Sequence, residues 1–217
     1  MKNSRAAKIT RRHLFQAAAA LTLGPTIVTR VSGAETTTPQ TTPKSFAEVV
    51  RKRAMIRAYK SDPVPEEKIH QLLKYAVRAP SGGYLQPWEF VVVKNPEVRA
   101  RLAKAAMDQT SVATAPVIIV TCADIQRAGS QAGTRGSFIS LVDTAFASLL
   151  ILLGAVEQDL GACFVASYNA EEVAKLLSLP DHVRPVGLIT IGYAAEAPRK
   201  PTTKKLPLKK VVHIDKW

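Results

Sequence analysis

The spacing of apolar and polar residues after residue 44 predicts short helices that alternate with short strands. The clearest helix begins at Glu66, where apolar side chains recur three and four positions apart, as on one face of an amphipathic helix. Ser45 and Glu48 form a capping box at the start of an earlier helix that extends to about Lys52. Further helices are predicted at 96–107, 138–156 and 170–177, and runs of β-branched residues predict strands at 90–93, 117–122, 164–166 and 186–193. Because these elements do not form a regular βαβ series, we predict an α+β fold with a small central sheet flanked by helices.

The most apolar segment of the predicted domain is Phe138–Val156, which follows a polar connection at 124–136. Asp143 is the one charged residue within it. A membrane span needs roughly 20 apolar residues, so we predict a long central helix that is buried on nearly all sides. A domain of this size cannot cover such a helix alone. We therefore expect a second copy of the chain to cover one side, as in a homodimer.

The first 34 residues have the pattern of an export signal rather than of a folded element. Adjacent Arg11 and Arg12 precede two large apolar residues, an apolar stretch covers 17–28, and small residues suited to a signal peptidase end at Ala34. This order resembles the twin-arginine signal, which directs the export of folded proteins. We therefore predict a signal peptide at 1–34, a Thr/Pro-rich tether at 35–44 and a folded domain at 45–217.

The predicted leader places the protein outside the cytoplasm, in the periplasm. Two alternatives stay open: an ordinary signal for the export of unfolded chains that contains an Arg-Arg pair, and an uncleaved leader that anchors the protein to the membrane. The formal net charge is +13, from 30 Lys and Arg against 17 Asp and Glu, but nearly half of it belongs to the leader. We therefore predict no nucleic-acid partner and, after cleavage, no stable membrane span.

The motifs of the common catalytic sets are missing from this sequence. It has no GxSxG elbow, no P-loop and no GxGxxG after a predicted strand. The four histidines never occur at metal-ligand spacing, so we expect no metal site. Cys122 and Cys163 lie in apolar runs, where two small core residues are favoured over the alternative of a disulfide. These observations point to a bound organic cofactor or to a protein that is not an enzyme.

Three segments of the sequence carry a family resemblance. They are residues 53–67, which contain RAMIRAY and PVPEE; residues 79–90, with the sequence APSGGYLQPWEF; and residues 191–213, which contain IGY, KKLPL and VVH. In this order and spacing they resemble the FMN-dependent nitroreductase family, from about Phe46 to the C-terminus. The second segment is the most specific, because such a run between a helix and a strand rarely arises by accident. The resemblance implies a dimeric, nitroreductase-like fold with FMN as its cofactor.

The resemblance also implies a set of cofactor-binding residues. Arg53 and Lys205 match positions that bind the FMN phosphate, and Arg57 matches a cation beside the pyrimidine edge of the flavin. From the residues alone, a solvated basic surface is the alternative for these cations. The complete implied set is Arg53, Ala54, Met55, Arg57, Pro80, Ser81, Gly82, Phe164, Val165, Ala166 and Lys205.

Two groups in this set come from a loop and from a predicted strand. Pro80–Gly82 matches a loop that passes under the isoalloxazine ring, and 164–166 matches a strand that gives backbone hydrogen bonds to the flavin near N5. A plain helix end and an ordinary core strand are the alternatives. Gly83 and Tyr84 are the implied substrate contacts. The family uses no protein nucleophile, so the resemblance implies no catalytic side chain.

The chain departs from the family pattern at two positions and lacks an insertion that some relatives have. Tyr84 stands where many members have Asn, and Met55 replaces a common Ser, which removes one hydroxyl contact to the phosphate. Residues 90–117 fit only a strand and one helix, without the lid insertion of the iodotyrosine deiodinases. The missing lid argues against a dehalogenase that encloses its substrate.

The resemblance implies an FMN-dependent oxidoreductase that takes two electrons from a small donor and passes them to a small organic acceptor in ping-pong order. The expected acceptors are nitroaromatics, quinones or enones. Alternatives on the same fold are a ligand dehydrogenase, a flavin-cleaving enzyme and a flavin-binding protein without turnover. Members of the family usually take hydride from NADH or NADPH, whereas an exported protein has no regenerated nicotinamide pool. We therefore expect a different physiological donor, such as a quinol or a redox protein.

Overall fold

A computed structural model of the protein describes residues 43–198 and 204–217, with the backbone alone at 130–132. The predicted signal peptide, 1–34, and the tether as far as residue 42 lie outside the described residues. Within the described chain, the helices are α1 (Phe46–Lys52), α2 (Glu66–Ala76), α3 (Pro96–Ala105), α4 (Thr110–Thr114), α5 (Ile125–Ala132), α6 (Gly136–Glu157) and α7 (Ala170–Leu176). The strands are β1 (Trp88–Val93), β2 (Val117–Asp124), β3 (Gly161–Val165) and β4 (Val183–Gly192). The predicted α+β fold is confirmed.

The four strands form one sheet in the order β1-β2-β4-β3, and every neighbouring pair is antiparallel. The register between β2 and β4 shifts after Thr121, where Gly187 is its partner and Pro185 is the partner of the next residue. Pro185 has no N–H to donate to a ladder, and a bulge is one of the few places where a sheet accepts proline.

Helices cover both faces of the sheet. On one face, α2 and α6 pack against the strands through buried residues such as Leu72, Ile151 and Ile189. On the other face, α3, α4 and α7 bury Leu102, Val112 and Val173. The sheet therefore lies between two apolar layers. Helix α6 crosses the same face against which the loop before β1 lies.

Two helices were not predicted. Helix α5 occupies most of the predicted polar connection at 124–136, because the Asp124 side chain caps it by accepting a hydrogen bond from the Arg127 N–H (2.9 Å). Helix α4 lies before β2, so residues 90–117 hold two helices after β1 rather than one. Both helices are poor in Leu and Glu, which is why propensity did not mark them.

In a single chain, helix α6 is buried on one side and exposed on the other, and the exposed side is the one that we expected a second copy of the chain to cover. Phe138 is 62% exposed and Leu149 is 46% exposed, on the side that no described element of the same chain covers. By length and hydropathy alone, Gly133–Glu157 could cross a membrane, and half of its most apolar window is buried in the domain. The core helix of a soluble protein passes the same test.

Helix α1 lies against the C-terminal end of α6. The Ser45 hydroxyl oxygen accepts from the Glu48 N–H (3.3 Å), as the capping box predicts. The Lys44 ammonium, mostly buried, donates to the Glu157 carbonyl (2.8 Å) and to the Asp159 carboxylate (2.9 Å). These contacts hold the residues just before α1 against the C-terminal end of α6.

Candidate functional site

The segment that carries Arg53 and Arg57 lies beside the edge strand β3. Met55 forms a parallel bridge with Ala162, and the Ile56 N–H donates to the Ala162 carbonyl (3.0 Å). Backbone bonds from 58–60 to 193–195 continue the contact across the end of β4. The segment is therefore held as extra extended chain along the sheet, which fixes where its cations lie.

Tyr59 locks this segment into the core. Its hydroxyl donates to the Ile56 carbonyl (2.6 Å) and also lies 2.8 Å from the Thr190 hydroxyl. Burial raises the pKa of Tyr59 well above its usual range, so the phenol stays neutral and can keep donating. The loss of this hydroxyl would leave the Ile56 carbonyl and the Thr190 hydroxyl with one fewer buried partner.

Arg53 and Arg57 are available to bind an anion. Arg53 is half-buried, Arg57 is exposed, and neither guanidinium group forms an ion pair or hydrogen bond with another described residue. Arg57 directly follows Ile56, which is hydrogen-bonded to β3, and its charge opposes the rise that burial causes in the pKa of Cys163. Unpaired guanidinium groups beside backbone groups at a strand end suit a phosphate and an electron-rich ring edge. These residues fit the phosphate and pyrimidine edge of a flavin nucleotide.

The loop between α2 and β1 has an unusual backbone. Gly83, Tyr84 and Gln86 have φ angles of 58°, 59° and 49°, in the left-handed region that non-glycine residues rarely adopt. The turn Gly82–Tyr84 leaves the Tyr84 side chain 83% exposed. Such strained residues persist only when surrounding contacts hold them, and they cluster at functional sites.

Several contacts hold this loop. The Gly82 N–H donates to the Asp143 carboxylate of α6 (3.0 Å), and the Ser81 hydroxyl oxygen accepts from the Gln86 N–H (3.1 Å). The Arg127 guanidinium of α5 donates to the Gln86 carbonyl (2.8 Å), and it also pairs with Glu89 and with Asp124. Sequence reasoning missed Arg127 entirely and noted Asp143 only as an isolated charge.

Strand β3 contains Phe164 and Val165 but ends before Ala166, which is exposed. The Phe164 ring lies over Gly187 of β4, where a Cβ would fall 2.3 Å from two of its ring carbons. No side chain fits between them, so Gly187 allows the ring to lie flat against the strand. Phe164 is half-buried on the face of the sheet that α6 covers.

The structure brings the predicted site residues together in two groups. The extended segment with Arg53, Ala54, Met55 and Arg57 joins Phe164, Val165 and Ala166 through the Met55–Ala162 bridge. The loop with Pro80, Ser81, Gly82, Gly83 and Tyr84 is held by α5 and α6 instead. Lys205 lies exposed in the C-terminal segment, and no hydrogen bond within the described chain connects it to Arg53.

The cysteines belong to the core rather than to the site. Cys122 and Cys163 are both free and buried, which confirms their interpretation as core residues. Burial, with a smaller contribution from Glu89, raises the pKa of Cys122 to about 12. Among the described residues, no cluster of His, Cys, Asp and Glu could hold a metal ion.

Comparisons with known proteins agree with this architecture. The family model for the "Nitroreductase family" matches residues 50–115 and 108–193. The "NADH dehydrogenase" of Thermus thermophilus is 34% identical over 189 residues, which are 74% of this chain and 91% of that protein. The "FMN reductase (NADPH)" of Bacillus subtilis is 28% identical over 181 residues, 76% of this chain and 72% of that protein. The solved structure of NfrA1 from B. megaterium is similar with a TM-score of 0.73 and 31% identity, over 79% of this chain and 74% of that one.

The fold and these relatives define the class of the protein, which is a flavin-dependent oxidoreductase. More narrowly, the chain belongs to the nitroreductase family. Members of this family use small-molecule electron donors and acceptors. The predictions of the family, of its fold and of an enzyme are therefore confirmed, whereas the residue roles stay predictions.

Proposed function

We propose that the protein is a homodimeric FMN-dependent oxidoreductase that reduces a nitroaromatic, quinone or enone acceptor by two electrons. The observation that carries the proposal is the pair of unpaired cations, Arg53 and Arg57, on a segment fixed along β3. Donor and acceptor would use one site in turn, which is ping-pong order. The "FMN reductase (NADPH)" among the relatives supports FMN as the flavin.

Each part of the FMN molecule has residues suited to it. Arg53 and Lys205 would bind the phosphate, and Arg57 would place positive charge at the pyrimidine edge of the ring. The backbone of Pro80–Gly82 would support the ring face, and the backbone of 164–166 would hydrogen-bond its other edge. The bound flavin supplies the two-electron chemistry, so the task of the chain is to bind, to orient and to exclude water.

Gly83 and Tyr84 are the proposed substrate contacts. Glycine lets the backbone come close to a flat ligand, and the Tyr84 ring projects from the loop into solvent. An aromatic side chain held in this way can stack on a planar acceptor. Because the ring is large, Tyr84 would also limit the width of acceptors that can lie over the flavin.

An apolar surface supports the proposed homodimer. It consists of Phe46 and Val50 of α1 and Phe138, Leu141, Phe146 and Leu149 of α6, all of which are exposed in a single chain. A groove of about 410 Å³ between α1, α2 and α6 adjoins it. Exposed apolar patches of this kind mark protein interfaces. Placing FMN between subunits would also bring the two groups of site residues to one cofactor.

The leader supports a proposal about location and donor. A twin-arginine signal at 1–34 would export the folded protein with its flavin to the periplasm, which lacks a nicotinamide pool. We therefore expect a quinol or a redox protein to be the physiological donor. Two relatives are named for NADH or NADPH as their electron donor. A different donor for this protein would therefore distinguish it from them.

The test uses the purified protein and its visible spectrum. Yellow protein whose released flavin is FMN, and which turns over with menadione or a nitroaromatic, would support the proposal. Colourless protein that binds no added FMN would refute it, and bound flavin without turnover would leave a flavin-binding protein. Anaerobic stopped-flow then compares donors: we expect slow bleaching by NADH or NADPH and faster bleaching by a reduced quinone. If micromolar NADH or NADPH bleaches the flavin with saturable kinetics at a rate of roughly 1–1000 per second, the expected donor is contradicted.

A further inference from the structure

Helix α6 carries a buried carboxylate at Asp143, which is the one charged residue of the stretch 138–156. The residue is 4% exposed, and burial of a carboxylate is costly unless the group is hydrogen-bonded. Within the described part of the chain, the Gly82 N–H makes the one hydrogen bond to it, at 3.0 Å. The contact of this costly group is therefore with the loop before β1.

The position of Gly82 against α6 is tight. A Cβ on Gly82 would lie 3.0 Å from the Ile139 Cγ2 and 3.9 Å from the Asp143 carboxylate. Ile139 and Asp143 are one helical turn apart and face the same point of the loop. The helix surface therefore limits how close the loop can come, and the hydrogen bond limits how far it can move away.

The anchored residue stands at the start of the strained stretch. Gly83, Tyr84 and Gln86, which follow, adopt positive φ, and two of them have side chains that disfavour it. Arg127 fixes the far end of this stretch through the Gln86 carbonyl. Asp143 and Arg127 therefore hold the two ends of a backbone that would otherwise relax.

We propose that Asp143 is a positioning residue for the flavin site. Its carboxylate holds the Gly82 N–H and so sets the height of Pro80–Gly83 against the isoalloxazine ring. Asp143 itself would touch neither flavin nor substrate and would act through Gly82. The inference rests on the proposed function, because it takes this loop to be part of the FMN site.

The first test compares three variants by titration of apoprotein with FMN, followed by flavin fluorescence. Asp143→Ala removes the acceptor and should weaken FMN binding roughly tenfold or more, as for other hydrogen bonds to charged groups. Asp143→Asn keeps an oxygen that can accept from Gly82, so its dissociation constant should stay within about threefold of wild type. Ser140→Ala is the matched control, because this buried hydroxyl on the same helix donates to the Ser137 carbonyl (2.8 Å) and has no hydrogen bond to the loop before β1 among the described residues. It should bind FMN like wild type.

The second test is independent of flavin and uses amide exchange of ¹⁵N-glycine-labelled full-length protein. We expect the Gly82 amide to be protected in wild type and in Asp143→Asn, and to exchange fast in Asp143→Ala. Unprotected Gly82 in wild type, unchanged FMN affinity in Asp143→Ala, or equal losses in both Asp143 variants would each overturn the proposal. If Asp143→Ala fails to fold, Asp143→Asn and the wild-type amide still decide. A wild-type protein that binds no FMN would refute the proposed function, while protection of Gly82 would still report on the anchor.

Discussion

Leu149→Lys tests the proposed dimer interface without disturbing the buried side of α6. Leu149 is 46% exposed in a single chain, whereas Leu152, less than one turn away, is 7% exposed and packs between α6 and the sheet. Leu149→Lys should therefore change the surface and leave the fold of the subunit intact. Leu152→Lys would place an ammonium group in the core and unfold the subunit itself.

The expected magnitude follows from the exposed fraction of Leu149. Full burial of a leucine is worth about 1.5–3 kcal/mol, and nearly half of this side chain is still available to a partner. A two-fold interface contains the substitution twice, so the lost burial amounts to about 1.5–3 kcal/mol per dimer. Since about 1.4 kcal/mol is tenfold, the dimer should dissociate roughly 10- to 100-fold more readily. The desolvation of two ammonium groups would add to this loss.

Sedimentation velocity across a range of protein concentrations measures the effect, and circular dichroism verifies the fold. Flavin content should fall with dimer content, because the proposed FMN site lies between subunits. Met107→Lys is the matched control: Met107 is 67% exposed in the loop after α3, away from α6, and receives the same charge. An unchanged dimer constant in Leu149→Lys would show that the exposed face of α6 is not the interface.

Three further outcomes are expected. Arg53→Ala should weaken FMN binding about tenfold or more in equilibrium titration, and Lys205→Ala should add to this loss; unchanged occupancy in the double variant would exclude the phosphate assignment. Neither cysteine should react with Ellman's reagent at pH 8 in the native protein, because burial raises the thiol pKa, to about 12 for Cys122, and keeps the thiolate scarce; two thiols should appear on unfolding, and fast native reaction would contradict the buried geometry. Gly187→Ala should displace the Phe164 ring, so we expect a lower melting temperature and altered flavin absorbance; wild-type values for both would show that the close contact is relaxed at no cost.

Most of the sheet could be predicted from sequence because its strands are short runs of β-branched residues. Strand β2, Val117–Asp124, is buried throughout, and it begins with an unbroken run of β-branched residues at 117–121. Helix starts were predictable where a side chain caps them, as at Asn95, whose side chain accepts from the Glu97 and Val98 N–H groups. In these cases the information lies within a few residues of the element.

The missed elements depend on contacts between distant parts of the chain. Helix α5 contains Gly129 and few strong helix formers, and its residues are ordered by packing against α6 and by the Arg127 contacts. The cover of α6 could be predicted only with the size of the domain, because hydropathy indicates that a covering surface is needed but not whether the same chain or a second copy provides it. Composition cannot distinguish these two cases.

The candidate site shows the same limit more strongly. The loop at 80–84 was predictable from its glycines and its place after α2, but its geometry is set by Asp143, 61 residues away, and by Arg127. The residues next to a single aspartate in an apolar helix do not indicate which group donates a hydrogen bond to it. Its burial only becomes informative once the structure places Gly82 beside it.

Helix α6 would connect the proposed dimer to the proposed flavin site, because its sides have different neighbours. Asp143, Ala147 and Ile151 follow one another at four-residue spacing, so the loop anchor lies on the same stripe that packs against the sheet. Phe146 and Leu149 lie on the side left to the proposed partner subunit. A shift of the helix on partner binding would therefore move the carboxylate that holds Gly82. If partner binding strengthens FMN binding through this loop, FMN must in turn favour the dimer to the same extent, because coupling between two binding events is reciprocal.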